Sequence, residues 1–280
     1  MQTVEEITEL RQLRAQLAGP LGFVPTMGYL HAGHISLVEL AKRDCASVVV
    51  SIFVNPTQFG PSEDLAAYPR DIPADLKLLA AAGVDLVWLP TPEIMYPPGF
   101  QTWVEVEQVS QPLEGAQRAG HFRGVSTVVA KLFNAVTPDK AYFGQKDAQQ
   151  VAVIQQMVRD LNFPLEIVVG ATQREAEGLA MSSRNSYLSA EQRQAATVLY
   201  RALNAAREAY VAGERSGNRL RAIMRETIAA EPLAEAQYVS CADRASLEEL
   251  DEITDGALLS MAVYVGKTRL IDNLILTSEK

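Results

Sequence analysis

The sequence predicts an α/β fold, in which a Rossmann-like, doubly wound parallel sheet is followed by a second, smaller α+β domain. Three observations support this prediction. Apolar runs alternate with helix-periodic segments in the first part of the chain, residues 47–54 form a nearly continuous apolar run, and the pattern changes after about residue 180. Alternation is typical of βαβ units, and a continuous apolar strand suits a parallel sheet covered on both faces. We therefore place a Rossmann-like domain at residues 1–180 and an α+β domain at residues 181–280.

The elements of the first domain are predicted from the spacing of its apolar residues. Apolar residues recur at helical spacing from Val4 to Leu17, and Gly19-Pro20 should end that helix. The other elements predicted here are strands over residues 21–26, 47–54, 84–89, 140–144 and 166–169, and helices over residues 34–44, 74–82 and 147–161.

The second domain is predicted to begin with two helices. Ser189 and Glu191 are a capping signal for a helix that runs to about residue 212, and a second helix is expected over residues 218–230. Strand-like runs follow at residues 237–241, 257–265 and 269–276. The Gly266-Lys267 pair between the last two predicts a hairpin.

Composition and charge exclude several classes of protein. The 280 residues suffice for about two domains that fold without a disulfide or metal. With 25 basic and 34 acidic residues the net charge is −9, which argues against nucleic acid or an anionic membrane as the main partner. The sequence lacks a signal peptide and a span of ~18 apolar residues, and Cys45 and Cys241 form no recognisable motif. We therefore expect a cytoplasmic protein with reduced thiols.

The segment LHAGH, residues 30–34, carries two of the three histidines at the predicted start of a helix. A helix N-terminus presents free N–H groups and a partial positive charge, so His31 and His34 could donate hydrogen bonds to a polyphosphate. Gly33 would let a phosphate approach the backbone. Alternatively, the histidines only cap the helix. A zinc pair is disfavoured because His121 and both cysteines are remote in sequence.

Residues 181–185, MSSRN, combine two hydroxyls with a guanidinium that is always charged, which suits an anion clamp. Alone, such a run is usually only a turn. Together with the HxGH segment it resembles the nucleotidylyltransferase superfamily, in which a strand, the HxGH motif and a helix grip ATP from one side. A later serine-rich basic loop grips the nucleotide from the other side.

Six segments extend this resemblance to one family. They are PTMGYLHAGH at residues 25–34, FVNPTQF at 53–59, YPRD at 68–71, HFRGV at 121–125, YFGQKD at 142–147 and MSSRN at 181–185. In this order they are similar to the pantoate–β-alanine ligase family over about residues 21–188. The resemblance implies that the pantoate carboxylate attacks the α-phosphate of ATP, which gives an enzyme-bound pantoyl adenylate and pyrophosphate. The amine of β-alanine then gives pantothenate and AMP.

The resemblance also implies partners and residue roles. It implies Mg²⁺ with ATP, the small-molecule partners ATP, pantoate and β-alanine, and a homodimer formed through the larger domain. The residues implied to be catalytic are His31, His34, Lys146 and Arg184. Those implied to bind ATP are Met27, His31, Gly33, His34, Gly144, Lys146, Asp147, Met181, Ser182, Ser183 and Arg184. Those implied to bind pantoate are Met27, Phe53, Asn55, Gln58 and Gln150, and Asp75 is implied as the Mg²⁺ carboxylate.

Several alternatives stay open at the level of the sequence. Asp147 could be only a helix N-cap, and Asp75 an ordinary carboxylate on a helix face. Ala119 and Gln173 depart from the family pattern, the latter near the expected adenine site. An adenylyltransferase that releases a dinucleotide would need the same nucleotide clamps, and a nucleotide sensor would need no turnover. The FVNPTQF segment favours the ligase, and we expect the second domain to act as a lid over ATP.

Overall fold

The structure is a computed structural model that describes residues 1–61 and 63–277, so residues 278–280 of the predicted second domain lie outside it. The first sheet has six strands: β1 (Gln2–Val4), β2 (Leu21–Thr26), β3 (Ser47–Ile52), β4 (Leu86–Trp88), β5 (Lys140–Gly144) and β6 (Glu166–Gly170). All neighbours pair in parallel, in the order β1-β4-β3-β2-β5-β6. The predicted parallel sheet is therefore confirmed.

Helices connect these strands and cover both faces of the sheet. They are α1 (Ile7–Arg14), α2 (Ala32–Asp44), α3 (Ile72–Ala81), α4 (Pro92–Met95), α5 (Glu114–Gln117), α6 (His121–Val136) and α7 (Ala148–Asp160). Strand β3 is apolar throughout because its successive side chains point to opposite faces of the sheet, and each face is covered by its own apolar core. Val48 and Val50 pack with Leu37 of α2 and Leu79 of α3, whereas Val49 belongs to the core that α6 fills.

The strand order defines where a ligand can enter. Strand β2 is central: β3, β4 and β1 lie to one side of it, and β5 and β6 lie to the other. The connections therefore leave β2 and β5 in opposite directions, which opens a crevice beyond the carboxyl ends of these two strands. The segment LHAGH follows β2 and the segment QKD follows β5, so the two motifs meet at this crevice.

Three differences from the sequence-based expectations concern helices. Val4 lies in strand β1, where it pairs with Trp88, rather than in the first helix, which starts at Ile7 and ends at Arg14. Helix α6 was not predicted, because residues 125–129 (VSTVV) are rich in β-branched residues that favour strands, although the polar residues Arg123, Lys131 and Asn134 recur on one face of the helix. The expected helix over residues 189–212 is interrupted at Thr197.

The second region is α+β, as predicted. Its elements are α8 (Ala190–Ala196), α9 (Val198–Val211), α10 (Gly217–Ala229), β7 (Ala234–Ala242), β8 (Ala257–Val265) and β9 (Thr268–Leu276). The three strands form an antiparallel sheet in the order β7-β8-β9, with the expected hairpin between β8 and β9. Leu179 already packs in the core of this region, and the domain boundary at residue 180 stays a prediction.

The two regions meet through buried polar contacts. Arg269 of β9 donates two hydrogen bonds to the Glu114 carboxylate, at 2.7 and 2.8 Å, and the Tyr238 hydroxyl donates a third at 2.9 Å. The side chain of Asn273 donates to the carbonyls of Gln145 and Lys146, at 3.0 and 2.8 Å. These contacts place strand β9 directly beside the turn that follows β5.

Candidate active site

A cavity of about 240 Å³ lies at the crevice between β2 and β5. Its walls come from the loops after β2, β3 and β5, the first half of α6, and residues 171–173 and 181–184. It brings together every residue that the sequence singled out for catalysis or substrate binding, except Asp75. Segments that lie more than 150 residues apart in the chain therefore form one site.

The two histidines of the LHAGH segment form the entrance to α2. His31 is the N-cap residue, and its Nδ1 accepts a hydrogen bond from the N–H of Gly33 at 3.1 Å. The Nδ1 of His34 accepts from the N–H of His31 at 3.3 Å. Because both Nδ1 atoms accept, each neutral ring carries its proton on Nε2. The capping alternative and the ligand-binding role are thus compatible, since capping leaves both Nε2–H groups free to donate.

The surroundings of the histidines keep them uncharged. Burial, followed by the charge of Lys146, lowers the pKa of His31 to about 4. Burial, followed by His31 and Lys146, lowers the pKa of His34 to about 3. A Cβ on Gly33 would lie 2.9 Å from the His31 ring, so a side chain here would displace the imidazole. At neutral pH the site thus offers neutral N–H donors at a helix N-terminus beside a lysine.

The turn after β5 contributes Gly144, Lys146 and Asp147. Lys146 is largely buried and lies 3.5 Å from the Asp147 carboxylate. Asp147 stands at the start of α7 but makes no side-chain capping bond, which removes the alternative of a simple N-cap. The Asp147 side chain is 45% exposed, so its oxygens are accessible to a ligand at this edge of the cavity.

The MSSRN segment forms the opposite wall. The N–H of Met181 donates to the Gln173 carbonyl at 2.9 Å, which holds the segment beside residues 171–173. The Ser182 hydroxyl oxygen caps the following turn by accepting from the N–H of Arg184, and the Ser183 hydroxyl donates to the Tyr29 carbonyl at 3.3 Å. Ser183 therefore ties this wall to the turn before His31.

One end of the cavity is apolar and carries two amide side chains. Phe53 and residues of α6, including Val125 and Val128, supply the apolar surface. The Gln58 amide accepts from Asn55 Nδ2 at 3.0 Å and lies 3.2 Å from the Met27 sulfur. Gln150, from helix α7, also lines the cavity. Such a surface suits a small hydroxy acid with a branched apolar body.

Asn55 fixes the loop that carries Gln58. Its side chain is 1% exposed, and its Nδ2 donates to Gln58 and to the carbonyl of Gly124. Its Oδ1 accepts from the Tyr96 hydroxyl at 2.7 Å and from the Thr57 hydroxyl at 3.0 Å. With every polar atom bonded inside the protein, Asn55 orients the loop and has little left to offer a ligand.

Asp75 does not line the cavity. Its two carboxylate oxygens accept hydrogen bonds from the N–H groups of Tyr29 and Leu30, at 2.8 and 2.7 Å, and the residue is 2% exposed. Gly28, with φ 82°, begins this turn in the left-handed region. The Asp75 carboxylate thus stabilises the turn that leads into His31. This differs from the magnesium role that the family resemblance implies for Asp75, and no cluster of three or more potential metal ligands occurs among the described residues.

Sequence reasoning missed Arg118, and it placed His121 only in a stretch that could approach the nucleotide or a dimer interface. Arg118 lines the cavity, and its Nη1 donates to Nε2 of His121 at 3.0 Å. His121 then donates from Nδ1 to the Gln58 carbonyl at 2.8 Å. Burial, followed by the charge of Arg118, lowers the pKa of His121 to about 4. Tyr68, in the YPRD segment, is also part of the wall. A motif search reaches His121 and Tyr68 but offers no signal for Arg118.

Comparison with known proteins agrees with this geometry. The family described as pantoate-beta-alanine ligase matches residues 1–275. A pantothenate synthetase from Herpetosiphon aurantiacus is 63% identical over 277 residues, which cover 99% of this chain and 100% of that protein. A pantothenate synthetase from Chloroflexus aurantiacus is 62% identical over 280 residues, which cover 100% of this chain and 99% of that protein.

Solved structures of similar proteins share this fold. The crystal structure of pantothenate synthetase from Thermus thermophilus superposes with a TM-score of 0.95 at 49% identity, and covers 99% of this chain and 100% of that one. A pantoate-beta-alanine ligase from Francisella tularensis, complexed with beta-gamma ATP and beta-alanine, superposes with a TM-score of 0.80 at 35% identity. That comparison covers 98% of this chain and 97% of the other.

Proposed function

The chain belongs to the pantoate–β-alanine ligase family, and we propose that its cavity at the β2–β5 crevice is where pantoate is activated by ATP and joined to β-alanine. The enzyme catalyses the ATP-dependent ligation of these two substrates, with release of AMP and pyrophosphate. One observation carries the assignment to this cavity: polar donors suited to phosphate stand on the same cavity as an apolar end with two amides.

The first step converts the pantoate carboxylate into a good acylating group. A carboxylate oxygen forms a bond to the α-phosphorus of ATP, while the bond from that phosphorus to the bridging oxygen of the β-phosphate breaks. Pyrophosphate leaves with the bonding electrons, and pantoyl adenylate remains. Negative charge grows on the phosphate oxygens in this step, so donors fixed in advance lower the barrier.

We assign that stabilisation to one set of donors. His31 and His34 donate from Nε2 to phosphate oxygens at the N-terminus of α2, where the helix dipole also favours negative charge. Lys146 and Arg184 add positive charge, and the Ser182 hydroxyl adds a further donor. Because both histidines are neutral, most of the compensating charge comes from Lys146 and Arg184.

Pantoate is assigned to the apolar end of the cavity. Met27 and Phe53 pack against its branched carbon, and the amides of Gln58 and Gln150 bond its hydroxyl and carboxylate. This orientation places the carboxylate toward the histidines. In the second step the amine of β-alanine forms a bond to the acyl carbon, the bond from that carbon to the AMP oxygen breaks, and the nitrogen loses a proton.

The acyl adenylate must be protected from water, and we propose that the second domain serves as a lid over the nucleotide. The bonds from Asn273 to the turn carrying Lys146 support this role, because they place β9 at the edge of the cavity. Small-angle scattering with and without a non-reactive adenylate analogue tests it. Identical dimensions would exclude a large closure.

We propose that Mg²⁺ enters with ATP on its phosphate oxygens. Asp75 does not fit as a direct ligand, because it is buried away from the cavity wall, where its carboxylate bonds the N–H groups of Tyr29 and Leu30. The exposed carboxylate of Asp147 lies on the cavity and fits better as a partner for a hydrated ion. Mg²⁺ would neutralise phosphate charge there. Isothermal titration of Mg·ATP against Asp147→Asn tests this without relying on turnover.

We also propose a homodimer that uses residues 101–106. Among the described residues, the backbone of this extended segment is bonded only through Val104, to the Thr127 hydroxyl. The side chain of Trp103 is 38% exposed and stacks under Arg123, at 4.3 Å. The free N–H and C=O groups suit pairing with a second copy. Light scattering should give a dimer for the wild type and a smaller mass for Glu105→Pro.

A cytoplasmic location is part of the same proposal. Both cysteines are unpaired and buried, as expected of a protein from a reducing compartment. Separately, the described helices include none with the length and hydropathy needed to cross a membrane. Fractionation of cells that express the native chain tests the proposed location.

Pantoate-dependent exchange of labelled pyrophosphate into ATP tests the proposed function. With Mg²⁺ and without β-alanine, we expect exchange that requires pantoate, and AMP and pantothenate once β-alanine is added. If the complete mixture forms neither product, the assignment of the reaction to this enzyme is wrong. Exchange without net ligation would place the defect in the second step.

A further inference from the structure

Two adjacent carboxylates hold two arginines of the cavity. Glu63 accepts from Arg118 Nε at 2.8 Å and from Arg118 Nη2 at 2.7 Å. Asp64 accepts from Arg184 Nε at 3.1 Å and from Arg184 Nη2 at 2.9 Å. Consecutive residues of one loop thus make two-point contacts with guanidinium groups that are 66 positions apart, since 184 − 118 = 66.

Both contacts use the same edge of the guanidinium and leave Nη1 to other partners. In Arg118 this nitrogen bonds Nε2 of His121 and lies 3.7 Å from the Glu114 carboxylate, and His121 bonds the Gln58 carbonyl. In Arg184 the contact with Asp64 leaves the Nη1 donors for a ligand of the cavity that Arg184 lines. The two carboxylates therefore control guanidinium groups that face different parts of the site.

The four side chains are 15–31% exposed, so water reaches part of each pair and leaves each guanidinium accessible. A guanidinium that a carboxylate already holds in place loses less rotamer freedom when a ligand binds it, so these contacts favour binding by orienting the arginines. Burial would raise the pKa of both carboxyls, but the arginine contacts outweigh it, so both stay ionised at neutral pH.

We propose that Glu63 and Asp64 are positioning residues, and that each orients an arginine that serves a different substrate. Asp64 orients Arg184 for the phosphates of ATP. Glu63 orients Arg118, which acts through His121 on the loop carrying Gln58 and hence on pantoate. The proposal rests on the residue roles assigned under the proposed function, and it adds a division of labour between neighbouring side chains that touch no substrate.

The test compares KM values for the two substrates in Glu63→Gln and Asp64→Asn. Each variant keeps the shape of the side chain and removes its negative charge. The loss of one charge-assisted contact should raise the KM for one of the two substrates about tenfold. We expect Asp64→Asn to raise the KM for ATP about tenfold and leave that for pantoate within about twofold. Glu63→Gln should do the reverse. Glu39→Gln, an exposed carboxylate of α2, is the matched control.

Two further measurements separate positioning from general disruption. Asp64→Glu and Glu63→Asp keep the negative charge, so their KM values should lie closer to those of the wild type than the KM values of the amide variants do. Thermal unfolding midpoints should be unchanged. If each amide variant raises both KM values alike, or if the charge-retaining variants are equally poor, the division of labour is wrong. Failure of the wild type to form pantothenate would instead refute the proposed function, so the two failures are distinguishable.

Discussion

On one side of the cavity, His31 and His34 are held by hydrogen bonds to backbone groups two or three residues away. On the other side, Arg118 and Arg184 are held by carboxylates 55 and 120 residues away. We call these the histidine side and the arginine side. The histidine side is set by one short segment, whereas the arginine side depends on how distant parts of the chain pack. The site thus positions some of its hydrogen-bond donors by contacts within one short segment and others by contacts between distant parts of the chain.

The largest effect is expected from His34→Asn. The asparagine Oδ1 can replace Nδ1 as acceptor for the N–H of His31, so the helix cap should survive while the Nε2 donor is lost. Loss of one fixed donor to a developing charge reduces turnover by roughly 10²–10³-fold. Pantoate-dependent pyrophosphate exchange measures this loss, and circular dichroism checks the fold. An equally large loss of stability would show that capping is the main role, and Glu39→Gln should behave like the wild type.

Arg184→Lys tests the arginine side. Lysine keeps the charge but cannot make the two-point contact with Asp64, so ATP should bind about 10–100-fold more weakly. Equilibrium titration with a non-hydrolysable ATP analogue measures the change. If the affinity is unchanged, or if Arg159→Lys at an exposed position has the same effect, the arginine side does not contribute to nucleotide binding.

The histidine side also depends on Asp75, which bonds the turn before His31. Asp75→Asn places an NH₂ group against one backbone N–H, so a buried donor loses its acceptor at a cost of about 1–3 kcal/mol in the free energy of unfolding. Urea denaturation measures this. The Mg²⁺ concentration for half-maximal exchange should be unchanged. A large shift in that concentration with normal stability would instead make Asp75 a metal ligand.

The smallest effect concerns pH and His121, which links the arginine side to Gln58. Its pKa of about 4 lies below the unfolded value near 6.5, so acidification protonates the unfolded chain first and destabilises the fold. Between pH 7 and 5.5 this should lower the free energy of unfolding by about 1 kcal/mol. Over the same range the free energy of unfolding of His121→Asn should fall by about 1 kcal/mol less than that of the wild type. Equal pH dependence in both proteins would contradict the lowered pKa.

The contrast between the sides also explains what could be predicted from the sequence. The histidine side was accessible because residues 30–34 carry their own helix start and donors. Strand β3 was accessible because its apolar run is continuous. Arg118, Glu63 and Asp64 escaped prediction, because an isolated ion pair leaves no spacing rule in the sequence when its members lie 55 or 120 residues apart.

Helix α6, Val4 and Asp75 show the same limit of prediction from the sequence, because tertiary packing decides each of them. Helix α6 was missed because residues 125–129 (VSTVV) are rich in β-branched residues that favour strands, and only the fold shows that they pack as a buried helix. Val4 fits a helical pattern, yet pairing with Trp88 at the sheet edge overrides that local preference. Asp75 has the chemistry of a metal ligand, and only the fold reveals that its carboxylate is buried beside two backbone N–H groups and away from the cavity wall.

The central claim is that the pantoate carboxylate attacks the α-phosphorus of ATP in the cavity between the two sides. Pantoate labelled with ¹⁸O in its carboxylate tests this most directly, with mass spectrometry of the nucleotide product after β-alanine is added. The account predicts that one ¹⁸O atom appears in each AMP, because the acyl C–O bond breaks in the second step. Unlabelled AMP, or label in inorganic phosphate, would contradict it.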